Sequence, residues 1–337
     1  MTLFYFVPYF SITPKTNLLL DIFIAGFLLW AWRIWLVRIA VKGHKINVCF
    51  WGETEETKKF VSFLGKTPSL GYRVIQTLDN ADLVVVEPNI LQNEELVKMF
   101  YDLLPFGITI EKFSEFYEAI MARVPTSIIN KTWFLENLAE LSKRPFEITK
   151  RVADFVFAII LFIPFFAIFP FVALIIKLDS NGTVFYKQKR VGKNGKVFEF
   201  IKFRSMVKNA DTINGFKGNG SDSRHTRVGK ILRKTYIDEL PQIINVIRGE
   251  MSFIGPRPER PHYVEELKEK IPFYEIRLLV RPGITGWAQI NMENDASVED
   301  APEKLQYDLY YIKNRSITMD LAVALKTASI MVSRNGR

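Results

Sequence analysis

A single cysteine, Cys49, stands in 337 residues, which leaves no partner for an intramolecular disulfide and no Cys-clustered zinc site. Only three histidines occur (His44, His225 and His262), far apart in sequence, so a His-rich metal site is not expected. Acidic residues are scarce in one stretch: Lys177–Lys234 holds 15 basic residues against 4 acidic. The whole chain carries 45 Lys+Arg and 36 Asp+Glu, a net +9. The segment Met1–Arg144 contributes 15 of each sign, so the entire excess lies in the remainder, with 30 basic and 21 acidic residues. Apolar residues are plentiful. A hydrophobic fraction of 48% with 28 Phe excludes a disordered chain. The composition points to a membrane-associated protein with a strongly basic face.

Two apolar runs bear on topology. Asn17 to Val41 (NLLLDIFIAGFLLWAWRIWLVRIAV) is long enough to cross a bilayer and has Trp near its basic end. It is too long for a signal peptide and no small-residue cleavage site follows. Lys15 precedes it, whereas Arg33, Arg38, Lys42 and Lys45 end or follow it, which places Met1 outside and the rest of the chain in the cytoplasm. The second run, Phe155–Ile176, has 22 residues without charge. Lys143, Arg144, Lys150 and Arg151 precede it and Lys177, Lys187, Lys189 and Arg190 follow, so spanning would put one basic flank outside. Pro164 near its middle and Pro170 each remove a backbone donor and favour a bend. A re-entrant helix–break–helix, bent at Pro164, keeps both flanks on one side; a kinked spanning helix is the alternative.

Between the runs, Ile46–Trp51, Tyr72–Thr77, Leu83–Glu87 and Ile108–Ile110 read as strands, with helices at Glu53–Lys66 and Glu94–Leu104. This alternation implies an open, mostly parallel α/β sheet. Its first strand–helix turn has one glycine, Gly52, followed by Glu53, Glu55 and Glu56. A pyrophosphate loop needs several glycines for close backbone approach, and three carboxylates would repel the anion. The expectation is a Rossmann-like domain without a dinucleotide loop. Lys143-Arg144-Pro145 marks a boundary, giving a membrane segment (1–45), the Rossmann-like domain (46–145) and a small α/β catalytic domain (146–337).

The candidate chemistry lies in that last part. Thr183–Arg190 and Val197–Arg204 read as a hairpin turned by Asn194-Gly195, with Phe198, Phe200, Lys202 and Arg204 on one face. Leu240, Ile243, Ile244 and Ile247 are spaced for one helical face, so Asp238 and Glu239 fall in the helix's first turn, or just before it if Pro241 is the first helical residue. Thr235-x-x-Asp238 also fits a capping box, an ordinary structural use of an acid at a helix start. Around the pair stand Arg233, then Arg257 between Pro256 and Pro258, then Arg281 on a Pro-Gly turn. Carboxylates ringed by such cations suit phosphoryl transfer, with a carboxylate as nucleophile, metal ligand or both.

At these residues Lys150–Arg337 resembles the catalytic domain of the bacterial sugar transferases, the monotopic phosphoglycosyl transferases. The resemblance runs through KRVADF (150–155), KFRSM (202–206), LRKTYIDELPQIINVIRGEMSFIGPRP (232–258), RPGITGWAQ (281–289) and YDLYYIKN (307–314). Residues 1–145 resemble the extension of the longer members, which usually carry several spanning helices; here one is clear, and Met1–Ile12 could be the remnant of another. Where a serine often precedes the breaking proline, this chain has Ile163. The resemblance implies a ping-pong reaction: Asp238 attacks the sugar-bearing phosphorus of a UDP-sugar, UMP leaves, and undecaprenyl phosphate takes the phosphosugar from the aspartyl intermediate. It gives Glu239 a part in binding Mg²⁺ with Asp238 or in orienting the nucleophile. Lys202, Arg233 and Arg257 would hold phosphates, Arg281 and Asp308 would lie near the nucleotide, and Lys150 and Arg151 would rest on lipid phosphates. The partners implied are the donor, the lipid acceptor and membrane lipids at the inner membrane, with the catalytic domain cytoplasmic and no nucleic acid; the Ile317–Val332 pattern could support an interface between copies. A UDP-sugar dehydratase or epimerase would need the glycine-rich loop that is missing, and a lipid- or nucleic-acid-binding module would not need the Asp238-Glu239 pair.

Overall fold

The computed structural model describes residues 15–42, 45–52, 54–138, 140, 142–207, 224–292 and 299–333. The Met1–Ile12 segment lies outside them. By contacts the chain forms two compact units, Met1–Phe113 and Ser114–Arg337.

In the first unit, Lys15–Lys42 is one helix whose side chains from Leu20 to Leu36 are largely exposed, among them Phe23, Phe27, Trp30, Trp32 and Trp35. Four strands follow: β1 (Ile46–Trp51), β2 (Tyr72–Ile75), β3 (Leu83–Val86) and β4 (Thr109–Lys112). They form a wholly parallel sheet in the order β2-β1-β3-β4. Leu83, Val84, Val85 and Val86 are all buried, as a strand covered on both faces requires. The helix Glu55–Lys66 buries Phe60 and Leu64, and Glu94–Leu103 buries Phe100. At the first strand–helix turn the Glu87 carboxylate accepts from Thr54 N (3.1 Å), Thr54 Oγ1 (2.7 Å) and Thr57 Oγ1 (2.6 Å). A Cβ on Gly52 would lie 2.3 Å from Glu87 Cδ, so only glycine lets the carboxylate seat there. The Glu87 carboxylate and its threonine donors thus fill the space at this turn.

In the second unit, β5 (Phe185–Val191) and β6 (Val197–Phe203) pair antiparallel through a turn with Asn194 at φ 56° and Gly195 at φ 76°. A short parallel pair, β7 (Ser252–Ile254) with β8 (Gly283–Thr285), brings two turns together. The contact divide falls earlier than the Lys143-Arg144-Pro145 boundary read from sequence. Its cause is packing ahead of that boundary: Val124, Ile129, Trp133 and Phe134 share one buried cluster with Leu267, Ile271, Leu305 and Leu309.

The apolar run lies within one helix, Arg144–Asp179, long and apolar enough to cross a membrane, with Pro164 and Pro170 inside it. Where a helix–break–helix was expected, the backbone stays helical through both prolines. Both prolines are exposed, while Asp154, Ala158, Phe165, Val172 and Ile176 form a buried stripe with Phe162 and Phe169 partly buried between them. That spacing of three and four keeps one face on the body of the unit from end to end. Each large apolar side chain buried there contributes about 1.5–3 kcal/mol, which offsets the roughly 3 kcal/mol that a proline inside a helix costs. The opposite face (Ile163, Phe166, Phe171, Leu174) is exposed.

Candidate active site

The acid pair is delivered by a reversal of the chain. The helix Arg227–Lys234 closes at Thr235, whose hydroxyl donates back to Ile231 O (2.9 Å) and Leu232 O (3.2 Å). Thr235 is therefore the end of one helix and not the cap of the next, which removes the capping-box alternative. Tyr236 then adopts a left-handed conformation (φ 57°, ψ 12°), and a 3₁₀ turn, Ile237–Glu239, carries both carboxylates ahead of the helix Gln242–Arg248. The acids stand just before that helix, one of the two placements open from sequence.

Two cations meet Glu239. Lys202 Nζ, from β6, is 2.5 Å from its Oε1, and Arg257 Nη2 is 3.5 Å from the same atom. Burial would raise the Glu239 carboxyl, but Lys202 and Arg257 outweigh it and hold the group down at about 2. Asp238 differs. It is 5% exposed and, among the described residues, receives no hydrogen bond. Burial, with the Glu239 charge beside it, pushes its carboxyl up to about 6 against the opposing pull of Lys202, Arg233 and Arg257. Adjacent acids with such different affinities for a proton are a mark of divided chemical roles.

Arg257 comes from the turn after β7. Gly255 N donates to Thr285 O (2.9 Å) and Gly283 N to Pro256 O (3.0 Å), and a Cβ on Gly283 would lie 2.2 Å from Gly255 N. The two turns pack backbone against backbone. Arg233 acts on Asp238 through its charge, and its Nη1 donates to His225 Nε2 at 2.5 Å. An arginine can only donate, so His225 carries its proton on Nδ1, 3.2 Å from Ser205 O.

Other expected site residues are engaged elsewhere. Asp308 is 1% exposed and binds Arg277 (Nη2–Oδ2 2.8 Å), so it presents no free carboxylate to a nucleotide. Arg281 donates to Gly249 O (3.1 Å) and lines a small polar cleft with Glu147, Lys150, Asp154 and Tyr311. Lys150 pairs with Asp320, and Arg151 donates to Val246 O (2.7 Å) and Ile247 O (3.0 Å), closing the C-terminus of the Gln242–Arg248 helix. Their charges meet protein groups where lipid phosphates were expected. Arg204, grouped with Lys202 from strand alternation, closes the end of the long helix through Ser180 O (2.6 Å) and Ser180 Oγ (2.8 Å). Sequence gave no sign of Arg277, because a buried arginine held by a distant acid reads like any other.

No group of three or more His, Cys, Asp or Glu that could hold a metal occurs among the described residues. Two adjacent carboxylates nevertheless fit Mg²⁺, which is commonly held by one or two carboxylates together with substrate phosphates.

The sequence profile of the bacterial sugar transferases matches residues 146–334, more than half of the chain. An Aeromonas hydrophila protein named UDP-N-acetylgalactosamine-undecaprenyl-phosphate N-acetylgalactosaminephosphotransferase is 43% identical over 187 residues, covering 56% of this chain and 44% of that one. The exopolysaccharide production protein ExoY of Sinorhizobium fredii is 37% identical over 195 residues, 53% of this chain and 84% of its own. The UDP-glucose:undecaprenyl-phosphate glucose-1-phosphate transferase of Escherichia coli is 39% identical over 183 residues, 53% of this chain and 39% of its own. The chain thus spans less than half the length of the Aeromonas and Escherichia relatives. The profile match takes in the acid pair, the basic strand end and both proline-bound arginines, and the chain belongs to the bacterial sugar transferase family.

Proposed function

We propose that the protein transfers sugar-1-phosphate from a UDP-sugar to undecaprenyl phosphate in two steps, with Asp238 as nucleophile. The observation that carries this is the unequal state of the two acids. Glu239 is fixed as an anion by Lys202 and Arg257, whereas Asp238 is buried, free of hydrogen bonds from the described residues, and more basic than an ordinary aspartate. Such a carboxylate is already desolvated and suited to attack phosphorus. In the first step an Asp238 oxygen bonds to the sugar-bearing phosphorus as the bond from that phosphorus to UMP breaks, and UMP leaves with the electron pair. In the second, an oxygen of undecaprenyl phosphate attacks the same phosphorus, the aspartyl bond breaks, and a lipid-linked diphosphosugar departs. Lys202, Arg233 and Arg257 hold phosphoryl oxygens. Asp238 and Glu239 would hold Mg²⁺ with the substrate's phosphates, where it would neutralise charge on the transferring group.

The long helix supports a re-entrant placement. Its apolar run of 22 residues spans ~33 Å at 1.5 Å per residue, close to the ~30 Å of a bilayer's hydrocarbon. Yet one folded unit holds both ends: Asp154 Oδ1 accepts from Phe253 N near the start, and Asp179 Oδ2 accepts from Val228 N at the finish. Spanning would ask a single polar body to hold both sides of the membrane. A helix that enters and leaves on one side keeps the catalytic unit on the cytoplasmic face of the inner membrane, with Lys15–Lys42 as the spanning anchor.

The relatives' names carry two different sugars, so a panel of UDP-sugars is the proper probe. Mixed with the protein and no lipid acceptor, the correct donor should release one UMP per active site and add a phosphosugar mass to the peptide containing Asp238. UMP release that begins only when undecaprenyl phosphate is added would replace the two-step scheme with direct transfer.

A further inference from the structure

Three basic side chains near Arg257, the buried Arg277 and Lys304 and the partly buried Arg190, bind the protein's own chain. Arg277 Nη2 donates to Arg257 O at 2.9 Å. Arg190 Nη1 donates to Pro258 O at 2.9 Å, and Lys304 Nζ donates to Glu259 Oε1 at 2.7 Å. Each could pass in sequence for a phosphate ligand, but together they hold the stretch Arg257–Glu259 through two backbone carbonyls and the Glu259 carboxylate. The Arg257 guanidinium itself reaches Glu239.

We infer that Arg277, locked by Asp308, is a positioning residue for Arg257. Arg277 reaches Asp308 Oδ2 through Nε (3.0 Å) and Nη2 (2.8 Å), and Tyr274 Oη through Nη1 (2.7 Å), so its guanidinium has little freedom. Pro256 has a fixed φ and Pro258 confines Arg257 to extended backbone, so few conformations remain open to this peptide. The bond from Arg277 to Arg257 O selects among them and anchors the backbone from which the Arg257 guanidinium projects. A buried ion pair is weak evidence for stability, since well-packed apolar groups often replace one without loss. Aiming a phosphate-holding guanidinium gives this pair a distinct use, because a misplacement of about 1 Å can cost on the order of 10²-fold in rate. The inference rests on Arg257 acting as a phosphate-holding group.

The test is a double-mutant cycle on the single-turnover rate of UMP release by the full chain, with Arg257→Ala, Asp308→Asn and both. Asp308→Asn should slow the wild-type background about 10- to 100-fold but the Arg257→Ala background less than about 3-fold, because the group it positions is gone. Thermal melting, run in parallel, should fall equally in both backgrounds, as loss of a structural bond requires. Equal fold losses of rate in both backgrounds would overturn the inference and leave the two-step reaction standing. A wild-type rate in Arg257→Ala would remove the role of Arg257 and the inference with it. If Asp308→Asn fails to fold, Tyr274→Phe, which deletes only one hydroxyl from Arg277, runs the same cycle, with a smaller loss expected that again vanishes in the Arg257→Ala background.

Discussion

Glu87 and Glu239 are both carboxylates held at a turn where a phosphate could sit, and different chemistry holds them. Glu87 is surrounded by neutral donors, two threonine hydroxyls and one backbone N–H, with Gly52 pressed against it. Those donors are satisfied by the carboxylate, and the space a ligand would need is filled. Glu239 is held by Lys202 and Arg257, whose charges can turn to an arriving phosphate without leaving a buried donor unpaired. The turn in the first unit is closed by its own carboxylate; the one in the second unit keeps its carboxylate on cations that a substrate can share. Net attraction for a phosphate therefore depends on what the donors are already holding, and less on how many there are.

The comparison is tested hardest at the acids themselves. Asp238→Asn keeps the shape but removes the nucleophile, so UMP release should drop by at least about 10³-fold and the covalent adduct should vanish from intact-protein mass spectra. A phosphosugar mass on Glu239 or Asp308 would show that another carboxylate attacks. Glu239→Gln should cost less, about 10²-fold, because it removes a charge that orders Lys202 and Arg257 while leaving the nucleophile. Its residual rate should respond to Mg²⁺ concentration. Loss of the adduct in Glu239→Gln at every Mg²⁺ concentration would give the two acids one inseparable role.

How much of this could be read from the letters alone differs between backbone and side chains. The strands Ile46–Trp51 and Leu83–Val86 were legible because short apolar runs rich in β-branched or aromatic residues suit a pleated sheet. The acid pair was legible because its members are adjacent and a rare stretch of basic residues surrounds them. The duties of individual cations were not. Lys202 and Arg204 alternate onto one face of a strand, yet one meets Glu239 and the other closes the end of the long helix. Arg277 and Asp308 belong to different elements, and nothing in either local sequence marks their pairing. The packing of Trp133 and Phe134 into the second unit's core was not legible, because two buried aromatics in a short polar helix mark no core by themselves.

At the closed turn, Glu87→Ala should leave Thr54 and Thr57 donors without an acceptor and cost about 1–3 kcal/mol in the stability of the first unit. Thermal unfolding checks this, while UMP release by the protein that remains folded should be unchanged. If the variant instead keeps its melting temperature and binds nucleotide in equilibrium dialysis, the turn is a ligand site that Glu87 merely occupies.

The smallest effect expected is a shift in pH dependence. The Asp238 carboxyl sits near 6 and only its ionised form attacks, so the single-turnover rate of UMP release should rise tenfold per pH unit below about 6 and level off above it. Glu239, held at about 2, stays ionised throughout, so the acid limb should have the slope of one proton and not two. Lys202 lowers the Asp238 value, hence Lys202→Met should move the midpoint to higher pH. The plateau will also fall, because Lys202 holds phosphate, but the midpoint reports the charge effect separately from binding. Donor must be saturating, so that the limb belongs to the bound complex. A midpoint near 4 in the wild type would mean that bound substrate or Mg²⁺ restores an ordinary aspartate. A midpoint that stays fixed in Lys202→Met would mean that Lys202 acts on Glu239 alone, and the two acids would then be divided by burial without any help from the strand that delivers the lysine.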